Sequence, residues 1–273
     1  MAATLALGAF GSIIGSFLNV VIHRVPSGRS VLRPASACGA CGHAIRWYDN
    51  IPLVSWLVLR ARCRDCRAPI SARYPLIELL TALAFAGTAL VFVPPVFAAE
   101  GLAATLAEAI VLAAFLYLAA ISIALAAIDL ETMRLPNAIV LPAYLVGAIA
   151  FTAAAALGGS WERLATAGLG LAIMGAIYLI PALIRPDAIG GGDVKLAGVL
   201  GLFLGWIGAP ALGVGIIAGF ILGGAWGVAL IMAGKGRTAR VAFGPWMLAG
   251  AWIGITAGAW LLAGYLGLFG LGI

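Results

Sequence analysis

Charged side chains are scarce in this chain of 273 residues, of which 10% are charged and 64% are hydrophobic. A soluble domain carries about 25% charged residues, so the shortage excludes a water-soluble globular enzyme. Cysteine occurs only four times. Apolar runs of helix length fill most of the chain, which also excludes a disordered chain and a small disulfide-stapled secreted domain.

Eight apolar segments follow one another along the chain. Most of them approach the ~20 residues that cross ~30 Å of hydrocarbon. The 37 glycines are typical of closely packed membrane helices. We therefore predict an all-α polytopic membrane protein with about eight transmembrane helices. The segments lie at about 4–22, 76–99, 102–128, 136–157, 164–184, 194–208, 210–233 and 244–269.

Basic residues are concentrated in the first polar loop. From Arg24 to Arg73 the chain has nine arginines and only two acids, Asp49 and Asp65. Such an excess is typical of a cytoplasmic loop, and it favours contact with anionic lipid headgroups. Because a basic membrane loop already explains the charge, membrane lipid is the expected partner and nucleic acid is not.

Segment 194–208 is short enough to be re-entrant, and charge decides between the two arrangements. If it crosses, several later basic residues lie on the side of the basic loop, as the positive-inside tendency requires. Eight crossings are therefore favoured, with both termini outside. The residues whose side depends on this crossing are Lys235, Arg237 and Arg240, which then share the side of Arg134 and Arg185.

All four cysteines lie in the basic loop, as Cys38-Gly-Ala-Cys41 and, after 21 intervening residues, Cys63-Arg-Asp-Cys66. Two such knuckles supply four thiolates for a tetrahedral, structural Zn²⁺ site. Two disulfides are the alternative, although a cytoplasmic location disfavours them. His43 is a substitute ligand in principle, but with four thiolates present we expect it to lie beside the site or at the surface. We predict that the zinc clamps a polar loop that has too little apolar content to fold alone.

Two aspartates stand at membrane boundaries where an acid is costly and is a functional candidate. Asp129 follows the segment 102–128, and Asp193 opens the segment 194–208 after three glycines. The crossing count places both at the cytoplasmic boundary, so they can meet although they are 64 residues apart in sequence. A pair of aspartates sharing one proton carries aspartic-protease chemistry. The helix start favours Asp193 as the ionised partner.

Each of these two acids also suits a simpler role. Asp129 is placed to cap a helix, and Asp193 to be an ordinary N-cap. Glu131 is a substitute for Asp129 in a pair, and Lys195 is a salt-bridge partner for Asp193. Either of the last two arrangements would defeat the proposed pair. The two aspartates also suit a proton relay in a transporter, and the cysteine loop suits a non-catalytic membrane scaffold.

With these motifs in place, the sequence resembles the bacterial prepilin peptidases, the type IV leader peptidase family of GxGD-type aspartic membrane proteases and N-methyltransferases. The resemblance runs through nearly the whole chain, with several motifs in family order. They are Gly15–Arg24, the two cysteine knuckles, Trp47–Pro52, Ser71–Glu78, Asp129 with Leu135–Asn137, Gly190–Leu196 and Phe243–Pro245.

The resemblance implies that Asp129 and Asp193 are catalytic. It implies cleavage of the basic leader of a type IV prepilin or type II secretion pseudopilin at the cytoplasmic face of the bacterial inner membrane. S-adenosylmethionine would then methylate the new N-terminus, and a peptidase without this second activity is the alternative. No glycine-rich Rossmann fingerprint is present for the methyl donor. The residues we expect to bind the donor or the amine are Glu78, Asn50, Arg46 and Arg73.

The same resemblance suggests a division of the chain into two parts. Residues 1–78 would form the first membrane helix and the cytoplasmic four-cysteine loop, which is the methyltransferase-like region. Residues 79–273 would form the transmembrane aspartic peptidase domain.

Overall fold

The structure is a computed structural model, and it describes residues 1–185, 189–234 and 242–270. Within these ranges the chain is helical, and its β pairing is limited to two isolated bridges, Ala37 with Ala44 and Arg62 with Pro69. Short 3₁₀ turns occur at Val25–Ser27 and Trp47–Asn50. The α-helices are α1 Ala2–Arg24, α2 Val54–Val58, α3 Arg73–Ala98, α4 Leu102–Thr132, α5 Asn137–Gly158, α6 Trp161–Ile184, α7 Gly191–Ile207, α8 Ala209–Met232 and α9 Gly244–Gly267.

Seven of these helices are long and apolar enough to cross a membrane, namely α1, α3, α4, α5, α6, α8 and α9. The eighth predicted segment is α7, which has 17 residues. Every residue of α7 from Leu196 to Trp206 is buried, because α5, α6, α8 and α9 pack around it. A short helix is tolerated at membrane depth where protein covers its ends. The prediction of an all-α, multi-pass membrane protein is confirmed.

Short connections fold the long helices back on one another. Successive pairs such as α3 with α4, α4 with α5 and α6 with α7 pack together. We call the end of the bundle that carries residues 25–72 the loop end. The end of α4, the start of α5 and the start of α7 lie there too, so Arg134 and Lys195 share the end with the basic loop. Lys235, Arg237 and Arg240 lie outside the described residues.

Glycines on α6 and α7 let the two backbones touch. A Cβ added at Gly201 would collide with the backbone of Gly170, and one added at Gly205 would collide with the backbone at Thr166. Close approach through small residues is a usual mode of helix packing in membranes. This contact fixes the axis of α7 and therefore the position of Asp193 at its start.

Candidate active site

Asp129 lies inside α4, because the helix continues beyond the apolar segment 102–128 to Thr132 and its C-cap is Met133. The alternative that Asp129 caps the helix is therefore wrong. Its side chain is buried, with 4% of the residue exposed. The backbone N–H of Gly244, the first residue of α9, donates a hydrogen bond to Asp129 Oδ2 at 3.0 Å. A Cβ at position 244 would lie 2.8 Å from the same oxygen. The carboxylate therefore sits against the positive end of α9, where only glycine leaves it room.

Asp193 is the third residue of α7, and Gly190 is the N-cap. The alternative that Asp193 is an ordinary N-cap is therefore wrong. A Cβ at Gly190 would lie 3.1 Å from Asp193 Oδ2, and one at Gly192 would lie 3.0 Å from Leu135 Cβ. The two glycines thus leave room for the carboxylate and for the link between α4 and α5.

Both aspartates line one open cavity of about 500 Å³ at the loop end. The cavity is formed by the 3₁₀ turn that follows α1, the end of α4 with its link to α5, and the start of α7. The structure thus brings together two carboxylates that are 64 residues apart in sequence. The lining residues are Val25, Pro26, Asp129, Met133, Arg134, Leu135, Pro136, Asn137, Gly190, Gly191, Gly192, Asp193 and Lys195.

The two arrangements that would defeat the pair are not found. Glu131 is exposed and forms an ion pair with Arg73, with Oε1 2.7 Å from Nη2. Lys195 Nζ donates to Asn137 Oδ1 at 3.0 Å and forms no ion pair with Asp193. Among the described residues, neither Asp129 nor Asp193 has a cationic partner within 4.0 Å.

Two residues that hold the aspartates in place were missed by the sequence reasoning. Tyr144 of α5 donates its hydroxyl proton to the carbonyl of Lys195 at 2.6 Å. Together with Asn137, it ties α5 to the first turn of α7. Gly244 belongs to a motif that was noted, but no role was predicted for it. No sequence pattern distinguishes Tyr144, because tyrosines occur in apolar helices in many other roles.

The start of α9 bears on which of the two aspartates is ionised. The position of Asp193 near a helix start favours it as the ionised partner. Asp129 receives comparable support from the N–H of Gly244. Helix termini therefore do not distinguish which of the two aspartates keeps the shared proton.

The four cysteines come together as a cluster. Their Sγ atoms all lie within 4.8 Å of one another, and Cys38 and Cys66 are 3.8 Å apart. A Zn–S distance of ~2.3 Å in a tetrahedron requires sulfurs about 3.8 Å apart. A disulfide needs about 2.05 Å, and all four cysteines are free. The cluster therefore has the donor set and spacing of a four-thiolate metal site.

The two knuckles are built alike. Cys38 N–H donates to His43 C=O at 2.9 Å, and Cys63 N–H donates to Ala68 C=O at 2.8 Å. Each knuckle closes through a residue in left-handed conformation, Gly42 in the first and Arg67 in the second. His43 is not among the clustered donors. Backbone N–H groups of Cys41 and Ala40 lower the pKa of the Cys38 thiol to about 6, whereas desolvation and the neighbouring thiols raise the pKa of Cys66 to about 12.

The residues predicted for the methyl donor lie in different surroundings. Glu78 of α3 is 8% exposed, and its Oε2 accepts the backbone N–H of Leu53 at 2.8 Å. Arg46 is paired with Asp65 at 2.9 Å, and Arg73 is paired with Glu131. Asn50 is exposed at the end of a 3₁₀ turn. Because both arginines already bind carboxylates, a donor carboxylate would have to displace Asp65 or Glu131.

Two protein-family models match this chain. Residues 9–92 match the bacterial peptidase A24 N-terminal domain, and residues 116–228 match the type IV leader peptidase family. No solved structure gives a significant match.

Three curated relatives all bear the name prepilin leader peptidase/N-methyltransferase. The protein from Myxococcus xanthus is 42% identical over 201 residues, which cover 73% of this chain and 56% of the relative. The protein from Aeromonas hydrophila is 34% identical over a match that covers 94% of this chain and 93% of the relative. The protein from Burkholderia pseudomallei is 34% identical over a match that covers 88% of this chain and 81% of the relative. The chain therefore belongs to the type IV leader peptidase family, and the prediction that it is a peptidase is confirmed.

Proposed function

We propose that this protein is an aspartic endopeptidase that removes the basic leader of type IV prepilins or type II secretion pseudopilins. The observation that carries the proposal is that Asp129 and Asp193 line the same cavity. The names of the relatives support the substrate class.

Two aspartates at one site do not both ionise readily, so one of them keeps a proton. The ionised carboxylate takes a proton from water as the water oxygen attacks the scissile carbonyl. The protonated carboxyl gives its proton to the carbonyl oxygen, which yields a tetrahedral diol. Proton transfer to the leaving nitrogen then breaks the C–N bond. The products are a leader with a free carboxyl group and a pilin with a new amine.

The side of the membrane on which the cavity lies is inferred from the position of the basic residues. The cavity lies at the loop end, which also carries the arginine-rich segment, Arg134 and Lys195. Basic loops are retained on the cytoplasmic side. Cleavage is thus proposed at the cytoplasmic face of the bacterial inner membrane.

Residues 1–78 are assigned the methyltransferase role and residues 79–273 the peptidase role. Zn²⁺ held by Cys38, Cys41, Cys63 and Cys66 would order the polar loop. S-adenosylmethionine would supply an electrophilic methyl group to the new amine. Buried Glu78 is suited to hold that amine through a charge-assisted hydrogen bond. Asn50 is suited to a polar group of the donor, while Arg46 and Arg73 would have to exchange their present partners.

Co-expression with a prepilin, followed by mass spectrometry of the pilin, tests both activities together. The proposal predicts loss of the leader and the added mass of one methyl group. Leader loss without the methyl group would leave a peptidase only. An intact leader with correctly inserted protein would contradict the proposed function.

A further inference from the structure

An apolar surface of the loop region has no protein partner among the described residues. Val54, Leu57 and Val58 of α2 are 52%, 67% and 69% exposed. Their spacing places them on one face of the helix. Trp47 is 81% exposed and Ile51 is 43% exposed just before α2. We call these five residues the apolar face. Five large apolar side chains exposed within twelve residues of one another mark a candidate interaction site.

The depth of the apolar face is fixed by its attachment to a membrane helix. Leu53 N–H donates to Glu78 Oε2 at 2.8 Å, and Glu78 is the sixth residue of α3. It therefore lies about 7.5 Å along the helix from Arg73, toward the membrane interior. Around this level Leu76 and Leu79 of α3 are 52% and 43% exposed, as lipid-facing leucines are.

Local backbone strain shows that this attachment is enforced. Leu53 has φ 62° and ψ −49°, and Val54 N–H donates to Pro52 C=O at 2.6 Å. A three-residue γ-turn with positive φ at its central residue is rare and strained. Such strain persists only where surrounding contacts hold it. Here the buried Glu78 carboxylate holds the turn, so the start of α2 is kept at the level of the membrane surface.

Two arginines and a tyrosine lie next to the residues of the apolar face in the chain. Arg60 and Arg62 follow α2 directly, and both are exposed. Unlike Arg46 and Arg64, neither forms an ion pair among the described residues. Trp47 packs edge-on against Tyr48 at 5.6 Å between ring centroids. Aromatic rings and arginines together are typical of the interface between membrane and water.

We infer that the apolar face inserts into the bilayer surface at the loop end, where Arg60 and Arg62 bind the phosphates of anionic lipids. The apolar side chains gain burial in the acyl region, and the two guanidinium groups gain partners that the described residues do not provide. This contact holds the cysteine loop flat against the membrane beside the entrance to the aspartate cavity. The inference depends on the membrane location of α3 and not on the proposed function.

Photo-cross-linking of the full protein in lipid vesicles tests this inference. Benzoylphenylalanine replaces Leu57 in one variant and Ala40, an exposed residue of the first cysteine knuckle, in the control. Vesicles contain phosphatidylcholine and phosphatidylglycerol, and adducts are identified by mass spectrometry. We expect lipid adducts at position 57 and at least fivefold fewer at position 40. Equal yields, or adducts to a second protein copy at position 57, would overturn the inference.

A second variant separates the two parts of the contact. Arg60→Gln with Arg62→Gln, combined with the probe at position 57, keeps the apolar face but removes the charges. We expect lipid adducts to persist while their phosphatidylglycerol share falls about fivefold. An unchanged share would reject the arginine contact. Metal content and the elution profile of each variant report its folding, and neither readout requires peptidase or methyltransferase activity.

Discussion

The cysteine cluster and the aspartate cavity are assembled in opposite ways. The cluster lies within residues 38–66, and each knuckle closes through backbone hydrogen bonds over six residues. The cavity needs the end of α4, the start of α7 and the first residue of α9 to meet. The cysteine cluster therefore depends on local turns, whereas the aspartate pair depends on the packing of the whole helix bundle.

The largest expected effect is the loss of leader cleavage when either aspartate of the cavity is replaced. Asp129→Asn and Asp193→Asn each remove one carboxylate of the pair, so each should lower leader cleavage by about 10³-fold or more. Metal content should not change in either variant, because the cluster is built locally. The loss of activity is measured by cleavage of a prepilin in detergent. The metal content is measured on the same samples. Glu131→Gln is the matched control and should retain activity, because that acid is paired with Arg73 outside the cavity.

The converse change should affect the metal and leave cleavage largely intact. Cys38→Ser removes one of four clustered donors, so the purified protein should lose one tightly bound zinc ion. His43→Ala, the control, should keep it, since His43 contributes only its backbone carbonyl to the knuckle. Metal analysis of both proteins decides the question. Unchanged metal content in Cys38→Ser would reject the site.

A smaller effect is expected where α9 meets Asp129. In Gly244→Ala the new Cβ would lie 2.8 Å from Asp129 Oδ2, so the carboxylate must shift. A displacement of this size at a reacting group should lower kcat about 10- to 100-fold. Gly264→Ala lies in the same helix with nothing within 4 Å of the added Cβ, and it should be neutral. If the two variants have equal activity, the close contact at Gly244 is irrelevant to cleavage.

The smallest effect is expected at the tie between α5 and α7. Tyr144→Phe removes a hydrogen bond to the Lys195 carbonyl, worth about 1 kcal/mol. We expect kcat to fall about fivefold while KM stays unchanged, because Tyr144 orients Asp193 and does not line the cavity. Tyr265→Phe at the exposed end of α9 serves as the control. A change in KM alone would show that Tyr144 acts on the substrate.

Much of this arrangement could be predicted from the sequence. The lengths of the apolar segments predicted the long helices. The distribution of basic residues predicted which helix ends lie on the same side of the membrane. The spacing of the cysteines predicted their cluster, because its geometry is local. Asp129 and Asp193 stood out because an acid at a membrane boundary is costly.

The supporting contacts could not be predicted in the same way. The hydrogen bond from Gly244 to Asp129 spans 115 residues, and that from Tyr144 to Lys195 spans 51. Neither leaves a periodic signal in the chain. The ion pair of Arg73 with Glu131 likewise joins two helices that only the folded bundle brings together. The short α2 was also missed, because five residues give no clear helical pattern.

Binding of a transition-state analogue tests the shared cavity most directly. The probe is a prepilin peptide in which a hydroxyethylene group replaces the scissile amide, so that one hydroxyl contacts both carboxyl groups. We predict tight binding to the unmodified protein and at least a hundredfold weaker binding to both Asp129→Asn and Asp193→Asn. Full affinity in either variant would show that the two aspartates do not act on the same reacting centre.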